Sequence, residues 1–108
     1  SGGQLQRACI CRSMINNPRM IFADEPTGAL NRASSDEVMN ELLSLNRDGT
    51  TIMCVTHDVK VAAKCSRVLY IVDGSIVGEK EMGHFDGGNK ELRDRERELN
   101  NWLMEQGW

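Results

Sequence analysis

Twice in this 108-residue sequence a short, unbroken apolar run stops at polar residues capable of chemistry. Met20-Ile21-Phe22-Ala23 ends in Asp24-Glu25-Pro26, and Thr51-Ile52-Met53-Cys54-Val55 ends in Thr56-His57-Asp58. Continuous apolar runs of this length, bounded by turn residues, read as strands buried on both faces, the pattern of parallel sheets covered by helices. Between them, Ser34-x-x-Glu37 is a capping-box pattern, and Val38, Leu42 and Leu45, with Met39 and Leu43, predict an amphipathic helix to about Asn46. Asp48-Gly49 breaks it. In α/β sheets ligands sit at the carboxyl ends of the strands, where Asp24, Glu25 and His57 fall.

The rest of the chain extends this alternation. Residues Leu5 to about Asn16 are good helix formers, opened by Ser1-Gly2-Gly3 and ended by Asn17-Pro18. A short helix is predicted over Val59 to Lys64, then a strand over Val68 to Val72 that meets Ser75 to Glu79 across Asp73-Gly74, a strong hairpin signal. This order predicts an α/β fold with a mainly parallel sheet. Beyond Lys80 the texture changes. Gly83, Gly87 and Gly88 form a joint over residues 81–88, and residues 89–108 carry a charged accessory helix, Asn89 to Gln106, with the narrow apolar stripe Leu92, Leu99, Trp102 and Leu103. Glu91 with Arg95, and Lys90 with Asp94, are spaced to support that helix on its surface. The stripe has two readings, packing on the body of the protein or docking on a partner.

Charge and composition narrow the function classes. Thirteen basic residues against sixteen acidic ones leave a net charge of −3. Residues 1–78 hold eight of each sign, whereas residues 79–108 hold five basic and eight acidic, so the acidic excess lies in the tail. With no basic excess in either part, a nucleic-acid partner held by phosphate contacts is not expected. No apolar run approaches the roughly 18 to 20 residues that span a bilayer. Cys9, Cys11, Cys54 and Cys65 include no Cys-x-x-Cys pair and read as reduced thiols serving as small core residues.

Three groups of residues could carry chemistry. Adjacent carboxylates at a strand end, Asp24 and Glu25, suit metal-dependent phosphoryl transfer: one helps to hold Mg²⁺, and the next orients or deprotonates the attacking water. The same pair also fits a solvated turn. Ser1-Gly2-Gly3 at a helix start offers close backbone approach, outward-pointing amides and a dipole that favours a phosphate, or else an ordinary N-cap. An imidazole at His57 could hydrogen-bond a terminal phosphate or the attacking water, or serve as a polar turn residue. His84, in the Gly-rich joint, is read as structural.

In order and spacing these motifs resemble one family. Ser1-Gly2-Gly3-Gln4, Met20-Ile21-Phe22-Ala23-Asp24-Glu25-Pro26, Gly28-Ala29-Leu30-Asn31 and Val55-Thr56-His57-Asp58 look like the signature, Walker B, D-loop and switch-histidine motifs of ATP-binding-cassette (ABC) ATPases. The string Ala23 to Leu30 is most similar to ATPase subunits of lipoprotein-release, macrolide-export and antimicrobial-peptide transporters. The resemblance covers residues 1–80. It implies a P-loop NTPase (RecA-like) core, ATP hydrolysis with Mg²⁺ at Asp24, Glu25 as catalytic base, and His57 at the γ-phosphate. Ser1, Gly2, Gly3, Gln4 and Asn31 would serve a nucleotide shared with the second subunit of a head-to-tail dimer. The partners implied are that subunit and transmembrane permease subunits, with the ATPase cytoplasmic and peripheral at the inner face of the membrane.

Two departures matter. Asn31 stands where the family usually has Asp, and no G-x-x-x-x-G-K-[ST] loop, adenine-stacking segment or Q-loop is present. The chain is therefore expected to be the latter part of a longer nucleotide-binding domain, inactive alone, with a gap in its sheet where the P-loop strand would lie between the strand ending at Val55 and that over Val68 to Val72. The alternatives are a soluble cassette acting on DNA or ribosomes, and a non-catalytic assembly fragment.

Overall fold

The computed structural model describes residues 20–28 and 30–108. The helix expected over Leu5 to Asn16, the residues Ser1 to Gln4, and Ala29 lie outside the described residues. The chain divides into two compact units, residues 1–57 and 58–108.

In the first unit, β1 (Met20–Asp24) and β2 (Thr51–Val55) pair in parallel, from Met20 opposite Thr51 to Asp24 opposite Val55. A parallel pair needs a crossover connection, and α1 (Arg32–Arg47) supplies it. Its inner face is the predicted one: Val38, Met39 and Leu42 are buried. Its start is not at the Ser34 capping box. Asn31 is the N-cap, its side-chain oxygen accepting from the Ser34 amide at 2.9 Å, which places Ser34 in the first turn. At the other end Gly49 turns the chain at φ +106°, and the Asn46 side-chain Nδ2 donates to the Thr50 carbonyl at 2.9 Å.

Among the described residues the two strands are covered on one face only. Ile21 and Ala23 are buried, whereas Phe22 is 61% exposed and Met53 46%, with Met20 and Val55 on the same open face. This corrects the expectation of strands buried on both sides. An unbroken apolar run records a demand for cover on both faces, and the described residues meet it on one.

In the second unit, α2 (Val59–Ala62) is capped by Asp58, whose carboxylate accepts from the Lys60 amide at 2.9 Å. It is shorter than predicted, continuing as turns to Cys65. Next, β3 (Arg67–Val72) and β4 (Ser75–Glu81) form an antiparallel hairpin. Asp73 and Gly74 both have positive φ, 49° and 79°, the two-residue turn whose twist suits a hairpin. Among the described residues the strands thus form two two-stranded sheets, β1 with β2 and β3 with β4.

Finally, α3 (Asn89–Glu105) lays Leu99 and Leu103 on Ala63, with Val59, Val68, Tyr70 and Met82 packed around them. The apolar stripe is therefore occupied by residues of its own chain. Close approach requires Gly78: a Cβ there would lie 3.0 Å from Cζ2 of Trp102 and 2.8 Å from the side-chain oxygen of Gln106.

The expected Glu91–Arg95 pair forms, but Arg95 does not lie on the surface. It is 7% exposed, and its guanidinium donates to five backbone carbonyls, those of Ala63, Cys65, Met82, Gly83 and His84, at 2.7 to 3.3 Å. The planar five-donor fork suits such a cluster, and Phe85 lies under it at 5.4 Å. Glu91 is 4.0 Å away, a minor part of its environment. Asp94 pairs with Arg97, three residues on. His84 contributes its carbonyl to Arg95, and its exposed ring lies 3.7 Å from Asp86. Cys54 and Cys65 are thiols, not a disulfide; Cys9 and Cys11 lie outside the described residues.

Candidate active site

The parallel pairing of β1 and β2 brings their carboxyl ends together, and with them the two polar groups that follow. Asp24, the last residue of β1, is exposed. At Glu25 the ladder continues for one more bond, its amide donating to the Val55 carbonyl at 2.7 Å, while the chain turns away with φ at 46°. A non-glycine residue in the left-handed region carries backbone strain, and such positions cluster at functional sites. The turn closes when the Gly28 amide donates to the Glu25 carbonyl at 3.0 Å, with Pro26 and Thr27 buried beneath it.

This turn aims the Glu25 side chain at the end of β2. One carboxylate oxygen, Oε1, accepts from the His57 amide at 3.0 Å and lies 2.6 Å from His57 Nδ1. The other, Oε2, accepts from the Thr56 hydroxyl at 3.2 Å. Partial burial pushes the Glu25 carboxyl up, but the bonds from the His57 ring, the Thr56 hydroxyl and the His57 amide, with the attraction of His57, outweigh it and leave the pKa below the ordinary value. An ionised carboxylate only accepts, so Nδ1 is the donor and Nε2 is left for another partner. The His57 side chain is 88% exposed, so it is held at one nitrogen and open at the rest.

Of the residues singled out from sequence, the fold brings Glu25 and His57 into contact with Asp24 adjacent along the chain. Asn31 lies at the start of α1, where its side chain caps the helix. Ser1, Gly2, Gly3 and Gln4 lie outside the described residues. Thr56 joins the site in the structure; its only signal in the sequence is a hydroxyl beside the histidine at a strand end. Among the described residues no group of three or more His, Cys, Asp or Glu side chains forms a metal cage. A lone exposed carboxylate fits Mg²⁺, which keeps several waters and is held by one or two carboxylates together with substrate phosphates.

This βαβ unit presents a carboxylate pair and an exposed histidine at its carboxyl end, where α/β sheets bind their ligands. Comparison with known proteins places it more closely. Residues 1–28 match the ABC transporter family. The macrolide export ATP-binding/permease protein MacB 1/2 of Paracoccus denitrificans is 52% identical over 83 residues, covering 77% of this chain and 12% of that protein. The ABC transporter ATP-binding protein MJ0796 of Methanocaldococcus jannaschii is 46% identical over 87 residues, 80% of this chain and 37% of the relative. The solved dimer of the MJ0796 cassette in a post-hydrolysis state with ADP and Pi superposes with a TM-score of 0.69 at 43% identity, covering 79% of this chain and 37% of that one. The chain belongs to the ABC transporter ATPases. Within them it matches the macrolide-export group, and it spans about an eighth of the length of those relatives.

Proposed function

We propose that these residues supply the hydrolytic part of an ABC ATPase that binds and hydrolyses ATP to drive export across a membrane. The observation that carries this reading is the 2.6 Å contact between Glu25 and His57 beside Asp24, at the carboxyl end of a parallel strand pair. Glu25 acts as the base: it takes a proton from water as the water oxygen attacks the γ-phosphorus, and the bond to the β-phosphate oxygen breaks to release ADP. His57, anchored to Glu25 through Nδ1, offers Nε2 to the γ-phosphate; donating there while Nδ1 also donates requires the doubly protonated ring. Asp24 would hold Mg²⁺, which neutralises charge developing on the phosphates when bound.

The names of the relatives support the wider setting. MacB is described as an export ATP-binding/permease protein, and the MJ0796 cassette was solved as a dimer. By analogy, this ATPase pairs head to tail with a second subunit, Ser1 to Gln4 and Asn31 serving the shared nucleotide, and works at the inner face of the membrane through permease domains. No helix among the described residues is long and apolar enough to cross a membrane. With no G-x-x-x-x-G-K-[ST] loop in these 108 residues, the largest electrostatic contribution to nucleotide binding is missing, and they are inactive alone.

In the complete ATPase, Glu25→Gln should lower Mg-ATP hydrolysis by about 100-fold or more while ATP binding and dimerisation persist. Hydrolysis at the wild-type rate would remove Glu25 from the role of base. Mg-ATP turnover by residues 1–108 alone would overturn the claim of inactivity.

A further inference from the structure

The Glu25 carboxylate has about four acceptor positions, two on each oxygen. Among the described residues, both positions on Oε1 are taken by His57, one by its amide and one by Nδ1. Oε2 receives a single bond, from the Thr56 hydroxyl at 3.2 Å. We propose that Oε2 is the oxygen that accepts the proton from water and that Thr56 is the positioning residue that aims it. The inference rests on Glu25 being the base, and it assigns within that role the reacting atom and the group that orients it.

Orientation is otherwise poorly constrained. The two bonds from His57 converge on one oxygen, so they hold Oε1 while leaving the carboxylate able to rotate about the axis through it. A hydroxyl on the second oxygen stops that rotation. Thr56 is placed for this because it directly follows β2, whose last residue, Val55, accepts the Glu25 amide. The same register that seats the Glu25 backbone therefore brings the Thr56 hydroxyl to its side chain. Its β-branched side chain has few χ1 options, so the hydroxyl is held rather than searching. Misalignment of a reacting group by about 1 Å can cost up to about 100-fold in rate, so one directing hydrogen bond is a sufficient lever.

The test uses the complete ATPase and three variants, Thr56→Val, Thr56→Ser and Glu25→Gln, measuring kcat and KM for Mg-ATP, with ATP binding and thermal unfolding checked for each. Valine keeps the shape and removes the hydroxyl, and serine keeps the hydroxyl. Thr56→Val should lower kcat by about tenfold with KM changed less than about twofold, and Thr56→Ser should recover most of the rate. Wild-type kcat in Thr56→Val, or equal loss in the valine and serine variants, would overturn the proposal. If Thr56→Val unfolds or loses ATP binding, Thr56→Ser and Thr56→Ala decide it: an active serine variant beside a folded, slow alanine variant supports positioning, and equal rates in those two refute it. Glu25→Gln separates the two levels. Full activity in that variant defeats the base assignment itself, whereas its inactivity beside an unaffected Thr56→Val defeats the positioning role alone.

Discussion

Glu25 and Arg95 are both charged side chains engaged by several polar partners, yet they are used in opposite ways. Glu25 sits at the end of β1 on a strained backbone with φ at 46°, a third of its side chain in solvent, bound to a histidine that is almost wholly exposed. Arg95 is 7% exposed and divides its donors among five carbonyls at the base of the hairpin and the turn after α2. Each is satisfied, but the first arrangement leaves acceptor capacity and an open imidazole facing water, whereas the second joins three stretches of chain. Polar groups meant for chemistry are incompletely closed off; polar groups meant for architecture are buried and saturated.

The widest contrast comes from exchanging one member of each region. Glu25→Gln should remove turnover and leave the unfolding midpoint of the complete protein nearly unchanged. Arg95→Met should do the reverse, destabilising the second unit by about 3 kcal/mol because five backbone carbonyls lose their donor and one buried side chain its hydrogen bonds. Denaturant unfolding of the two variants checks this, and an Arg95→Met protein as stable as wild type would show that water replaces the guanidinium at no cost. Such a result would weaken the contrast.

Asn31 tests whether a residue in the D-loop position belongs to the chemical or the architectural group. As the N-cap of α1, Asn31→Ala should cost about 1 kcal/mol, and Asn31→Asp, which retains the acceptor, should cost little. Unfolding measurements on both variants, read beside their hydrolysis rates, separate capping from any role across a dimer. If the alanine variant is as stable as wild type but slow, the cap is incidental and the chemistry is what matters.

The smallest expected effect is in the pH dependence of stability. The Glu25 carboxyl is held below its ordinary pKa, so its interactions stabilise the folded state fully above the unfolded carboxyl value and lose that contribution as pH falls through the lower folded value. The difference in Tm between wild type and Glu25→Gln should accordingly stay constant above the carboxylate range and shift toward the variant on acidification through it. A difference independent of pH would leave only the shape of the side chain to account for it.

Much of this was legible in the chain. The strands end where the apolar runs end, the Asp73-Gly74 hairpin is where its turn residues place it, and the inner face of α1 is the one that the 3.6-residue period marks. Each rests on local rules that act over a few residues. The cap at Asn31 was less legible, because Ser34-x-x-Glu37 three residues later satisfies the same pattern and only backbone conformation chooses between them. The unbroken apolar runs predict burial of Phe22 and Met53, which are exposed, because nothing in a one-dimensional pattern tells how many faces the surrounding chain covers.

What the sequence determined by itself was the inventory and the order: two strands ending in Asp24-Glu25 and Thr56-His57, a helix between them, and a family signature across the set. Parallel pairing in the register that sets Asp24 opposite Val55 was decided in three dimensions, and with it the contacts from Thr56 and His57 to Glu25, 31 and 32 residues away. The burial of Arg95 was decided there too. Spacing along a helix shows only neighbours on that helix, whereas the partners that outweigh Glu91 are carbonyls from 11 to 32 residues distant in the chain, and folding alone brings them within reach of one guanidinium.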